Sequence, residues 1–153
     1  MAKSIDQMIE EIEKKASEQS VRNYNGYDSR SVTKVVHSDN KRAIAYELKG
    51  STWHRGGTNG GGVSYFQGIN AYDGESDLSV MPYDVYRAKY YHEWDIFDIL
   101  SLKNLGERKH EIIMGNEYRK IKYLVNFGER KVEKLEEENL KPIVISGAEA
   151  NDW

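Results

Sequence analysis

The sequence predicts an α+β fold. In that fold an antiparallel sheet of three to five strands packs with an N-terminal helix, a long central helix and a C-terminal helical repeat. Three observations lead there. Apolar residues near the N-terminus recur at helical spacing. From Ser31 the period changes to two. The stretch from Trp94 to Leu140 contains a near-copy of itself: Leu102-Lys-Asn-Leu-Gly-Glu-Arg-Lys-His-Glu111 returns as Leu124-Val-Asn-Phe-Gly-Glu-Arg-Lys-Val-Glu133, offset by 22 residues. That offset is close to a whole number of helical turns.

Ser4 to about Glu18 reads as an amphipathic helix. Ser4 and Gln7 form a capping-box pattern, and Ile5, Met8, Ile9, Ile12 and Ala16 fall on one face. Asp6 comes early and Lys14 and Lys15 late, as the helix dipole prefers. Residues 19–30 are polar and turn-rich and read as a loop, with Tyr24 and Tyr27 pinning it to the body. Ser31–His37 and Arg42–Leu48 read as strands of a hairpin, joined by a turn at Ser38-Asp-Asn-Lys41. Gly56 to Gly62 holds five glycines in seven residues and matches neither phosphate-loop pattern. Two readings of it stand: a plain connection between strands, or a flap that orders on a ligand. Val63–Tyr72 and Leu78–Met81 read as further strands.

Pro82 suits the first turn of a helix. Beyond it Tyr83, Tyr86, Tyr90, Trp94 and Phe97 are spaced 3, 4, 4 and 3, a helical stripe that suits a core or a half-wet interface. Each repeat copy then reads as a helix end, a turn at Asn-x-Gly, and a new helix opening on Glu-Arg-Lys. The expected organisation is one domain over 1–153. It has the helix in 1–20, the sheet in 31–81, a helical region in 82–140, a last strand at 141–146 and a tail at 147–153.

Composition narrows the function classes. A net charge of −3 excludes a globally basic nucleic-acid binder but permits a local patch. Residues 21–56 carry +4, residues 57–101 carry −5 and residues 102–141 carry +2, so a basic and an acidic face are expected. The absence of cysteine removes disulfides, thiol nucleophiles and cysteine zinc sites. No apolar run approaches the ~20 residues of a membrane span and no signal core is apparent, so the expected location is the cytoplasm, with no membrane partner. The high use of Tyr, Lys, Ile, Asn and Glu resembles that of AT-rich genomes, including those of phages.

The repeated unit resembles the second half of a helix-hairpin-helix, and more closely the C-terminal domain of the bacterial RNA polymerase α subunit. Asn126-Phe127-Gly128 matches that family's Asn-Phe-Gly. Arg130 falls at a basic DNA-contacting position, and Val132 and Leu135 fall at apolar ones. Lys131 stands where the family has serine, Glu129 where it has a basic residue, and both copies lack the second glycine of the strict hairpin. The resemblance covers about 45 residues. It implies that Asn104, Gly106, Arg108, Lys109, Asn126, Gly128, Arg130 and Lys131 contact nucleic acid, with backbone N–H groups approaching a phosphate.

The leading expectation is a small non-catalytic intracellular binding protein that contacts nucleic acid, or a nucleic-acid-processing complex, through the duplicated Gly-Glu-Arg-Lys turns. An alternative is an interaction protein, such as a phage-encoded inhibitor of a host defence or replication protein, whose contact surface includes Trp53, His54, Arg55, Gly60, Tyr83, Tyr86, Tyr90 and Trp94. A second alternative is an enzyme with His54 beside the glycine loop. No catalytic signature supports it. His37 with Asp39, His54 with Arg55, His92 with Glu93 and His110 with Glu111 are adjacent or near pairs, but adjacent residues in a strand or helix point in different directions. No zinc motif and no cofactor motif occurs. Oligomeric state cannot be read from the chain.

Overall fold

The computed structural model describes residues 3–23, 26–54, 62–87 and 97–141; within these, the side chains of residues 23, 54, 62–64, 66 and 81–87 lie outside the described set. The chain forms one helix and two antiparallel sheets. Helix α1 spans Ile5–Gln19. The first sheet has strands β1 (Val21–Asn23), β2 (Gly26–His37), β3 (Ile44–His54), β4 (Gly62–Tyr72) and β5 (Asp77–Arg87), in that order. The second has β6 (Asp98–Gly106), β7 (Lys109–Gly115), β8 (Arg119–Asn126) and β9 (Lys131–Asn139), also in sequence order.

The helix begins where Ser4 and Gln7 predict. The Ser4 hydroxyl accepts from the Gln7 N–H, and the Gln7 side chain accepts from the Ser4 N–H. Its buried stripe of Met8, Ile12 and Ala16 lies on Ile44, Tyr46 and Leu48 of β3. The other face of β3 carries Ala45 and Glu47, and Ala45 packs with Ala43, which directly precedes the strand, into the core shared with the second sheet. Six consecutive residues, Ala43 to Leu48, are therefore buried. The layers run helix, five-stranded sheet, four-stranded sheet.

The join between the sheets is polar. Buried Gln67 on β4 donates to the Phe97 carbonyl at 2.9 Å and accepts from the Phe97 N–H at 3.2 Å, acting as one rung of a ladder. The same amide donates to the buried carboxylate of Glu47, which also accepts from Thr33 and lies 3.5 Å from the Lys49 ammonium. This fixes where the chain enters the second sheet.

The α+β reading with a long central helix and a C-terminal helical repeat is overturned, because residues 98–139 form four strands and residues 77–87 a fifth. Pro82 sits in β5, an edge strand, where the register jumps from Met81 to Asp84, a place that tolerates a missing N–H. Tyr83 and Tyr86 lie in that strand, while Tyr90 and Trp94 fall outside the described residues. The helical stripe does not hold where it is described, since Tyr83 and Tyr86 lie in a strand and another strand begins at Asp98. The helix-hairpin-helix and RNA polymerase resemblances fail with it, because no helix follows either Asn-x-Gly. A period of two was present in His110, Ile112, Met114 and in Ile121, Tyr123, Val125. The even offset of 22 preserves strand faces as well as helical turns. Residues 21–23 and 26–30, read as a loop, are strand, and the last strand expected at 141–146 lies beyond the described residues except for Lys141.

We predict that Gln67→Leu lowers unfolding stability by about 3 kcal/mol, because it strands the Phe97 backbone groups and removes a donor from a buried carboxylate. Urea denaturation measures this. A loss below about 1 kcal/mol would mean that water replaces the lost partners.

Candidate functional site

The two repeat copies are hairpin tips, and they lie against each other. The Phe127 N–H donates to the Arg108 carbonyl at 3.0 Å. In the first tip Gly106 pairs with Lys109 across Glu107 and Arg108, which have φ of 55° and 61°. Two central residues at positive φ make a type I′ turn, normally the preserve of Asn and Gly. The second tip closes more widely, Asn126 pairing with Lys131, and only Arg130 has positive φ, at 56°. The near-identical sequences diverge because Leu105 is half exposed while Phe127 is fully buried. Drawing the aromatic ring inward opens the second loop.

The predicted turn cations are separated by this arrangement. Arg108 donates through Nε and Nη2 to Asp73 Oδ2 at 2.9 and 2.8 Å, and approaches Glu75 at 3.2 Å. Lys109 and Lys131 share a cross-strand row with Asn126 on the outer face of the second sheet, about 10 Å apart across two ladders. Lys131 lies 3.9 Å from Glu129, and Arg130 is exposed at the tip. Asn104 Oδ1 accepts from the Gly106 N–H and Asn126 Oδ1 from the Glu129 N–H, so both asparagines shape turns. Around Gly128 the nearest contact is that same Asn126 oxygen, and around Gly106 the space is open.

Behind the first tip lies a cleft of about 740 Å³. Its charged lining is Lys3, Arg42 and Arg108 against Asp73, Glu75 and Glu107, with His110 below. His110 is 2% exposed, and neither ring nitrogen has a hydrogen-bond partner. Its ring meets Phe127 edge-on at 5.4 Å. Burial pushes the imidazole below its ordinary pKa, while Asp73 and Asp39 pull weakly the other way.

Among the described residues, the first sheet extends beyond the core it shares with the second. The shared core takes Ala43, Ala45, Ile69, Ala71, Leu78 and Val80 from it, and nothing from 27–31 or 49–53 on the same face. On that overhanging face Arg22, Tyr27 and Trp53 form one cross-strand row. Tyr27 stacks on Trp53 with centroids 6.3 Å apart and planes 18° from parallel, and remains 44% exposed. Ser29, Ser51 and half-buried Tyr65 form the next row, and Ser31 and Lys49 the one after. Gly26 makes the close pairing possible: a Cβ there would meet the Trp53 carbonyl oxygen at 1.8 Å, and its φ is +153°. Trp53 was among the sequence-predicted residues. His54 lies in β3 with its side chain outside the described set, and Arg55 and Gly60 lie outside the described residues. Tyr27, Asp73 and His110 were not read as site residues. The alternation of His110 with Ile112 and Met114 was the signal available for the last.

No protein-family model, curated protein or solved structure matches the chain. Among the described residues no three His, Asp or Glu side chains converge as metal ligands would, and no helix is long and apolar enough to cross a membrane.

His110 makes stability depend on pH. Its folded-state pKa is depressed, so in acid the unfolded chain binds a proton that the folded chain refuses. The contribution is complete above the unfolded pKa of about 6.5 and is lost as pH falls through it, at up to about 1.4 kcal/mol per pH unit. We predict that denaturation midpoints measured from about pH 7.5 to 5 fall more steeply for the native chain than for His110→Leu. Parallel curves would show that the imidazole titrates normally.

Proposed function

We propose that this is a non-catalytic binding protein that takes single-stranded nucleic acid on the overhanging face of the five-stranded sheet. The observation that carries the reading is the exposed Tyr27–Trp53 stack, with Arg22 in the same row and Lys49 two rows on. Aromatic rings offer a face to any unpaired base, worth ~1–3 kcal/mol per base, and neighbouring cations meet the phosphates. The stack and its neighbouring cations lie within the most basic part of the chain, residues 21–56 at +4. A duplex keeps its base faces stacked, so single strands are favoured. The repeat tips suit a single strand less well, because Arg108 is committed to Asp73 and Glu75 and the aromatic ring of the tips, Phe127, is buried.

Fluorescence anisotropy with labelled single-stranded DNA and RNA of about 12 nucleotides, and with the matching duplexes, tests this. The single strands should bind more tightly, and binding should weaken as salt rises. Tyr27→Ala and Trp53→Ala should each weaken binding by ~5- to 100-fold, with the fold checked by circular dichroism. Arg22→Glu should weaken it as well, and Arg130→Glu should leave it nearly unchanged. Loss on Arg130→Glu with no loss on the aromatic substitutions would move the contact to the hairpin tips. No binding at low salt would remove the reading.

A further inference from the structure

The cleft behind the first hairpin tip is separate from the overhanging face, and its chemistry is different. Four parts of the chain bound it: the segment before α1, the β2–β3 and β4–β5 turns, and the β6–β7 tip. Its volume of about 740 Å³ lies within the ~300–1,000 Å³ usual for small-molecule sites. Its six lining charges balance, three of each sign, so neither a simple anion nor a simple cation is favoured.

Most of those charges are already used. Lys3 binds Glu11 at 2.9 Å, and Arg108 holds Asp73 and Glu75. Among the described residues the side chains of Arg42 and Glu107 have no ionic or hydrogen-bond partner, one cation and one anion on the same cleft. Below them His110 is buried with neither ring nitrogen bonded to another protein group, and a buried polar group of that kind calls for a partner. Glu107 and Arg108 hold positive φ without being glycine, a strain that surrounding structure must sustain.

We propose that this cleft binds a small zwitterion, a free amino acid or a short peptide with free ends, its carboxylate on Arg42 and its ammonium on Glu107. The guanidinium fork matches a carboxylate, and a carboxylate is a natural acceptor for an ammonium group. The ligand would lie over the tip formed by Gly106 and Glu107, where the open space at Gly106 admits it.

The test is an NMR titration of ¹⁵N-labelled full-length protein with glycine and with triglycine, using acetate and methylammonium at matched ionic strength as single-charge controls. The two zwitterions differ in charge separation, so the tighter one measures the Arg42–Glu107 span. We expect one of them to shift the amides of Gly74, Gly106 and Glu107 and the His110 ring resonances, and to bind at least ~10-fold more tightly than either control. Arg42→Gln and Glu107→Gln, both exposed, should each weaken that binding by ~10-fold or more without changing the rest of the spectrum. Acetate or methylammonium binding as well as the zwitterions would overturn the proposal. So would binding that survives both substitutions, or the absence of any shift at concentrations up to roughly 50 mM.

Discussion

The structure depends on β3 being buried on both faces. A strand with solvent on one side needs only alternate apolar residues, whereas β3 must satisfy a helix above and a sheet below. Its sequence divides the work by size. Ile44, Tyr46 and Leu48 fill the space under α1, and Ala45, with Ala43 directly before the strand, lets the second sheet come close. Glu47 is the exception on the crowded side. A buried carboxylate is costly unless its oxygens are bonded, and Thr33, Gln67 and Lys49 supply that. Because Gln67 also grips Phe97, the group that makes Glu47 tolerable is the one that docks the second sheet.

That docking creates two unlike ends. At the hairpin end, the turns of both sheets crowd together. Asp73 ties the β4–β5 turn to Arg108, Asp39 accepts from the Asn104 N–H, and His110 is trapped beneath. At the other end, among the described residues, the shared core takes nothing from 27–31 or 49–53 of the first sheet, and Tyr27 and Trp53 stay partly in water. Charged, strained groups therefore collect where turns meet, and aromatic surface collects beyond the core that the two sheets share. The two binding proposals follow from that asymmetry and draw on different residues.

The repeat shows how a local signal can be real and still be misread. Asn-x-Gly followed by Glu-Arg-Lys does mark a chain reversal in both copies, but such a signal serves a helix end and a hairpin equally; Gly106 takes a positive φ in the first tip, and Arg130 in the second. What separates the two is the partner strand. Ile121 and Val125 count as one face of a strand only once β7 lies beside them, and no run of neighbours in sequence supplies that. The same limit hid the fate of the cations. Arg108 and Arg130 occupy equivalent repeat positions, yet Asp73, 35 residues away, takes one and leaves the other at the surface.

By itself the sequence determined the capped helix at Ser4, the first hairpin around 38–43 and the positions of the two later reversals, because caps, turns and short-range periodicity are set by neighbours within a few residues. Only the tertiary structure decided that 98–139 is sheet, that Tyr27 and Trp53 share a face, and that His110 is buried without a partner. Those outcomes depend on strand pairing and on which surface another layer covers. Strand hydrogen bonds join residues far apart in the chain, and burial is a property of the assembled layers.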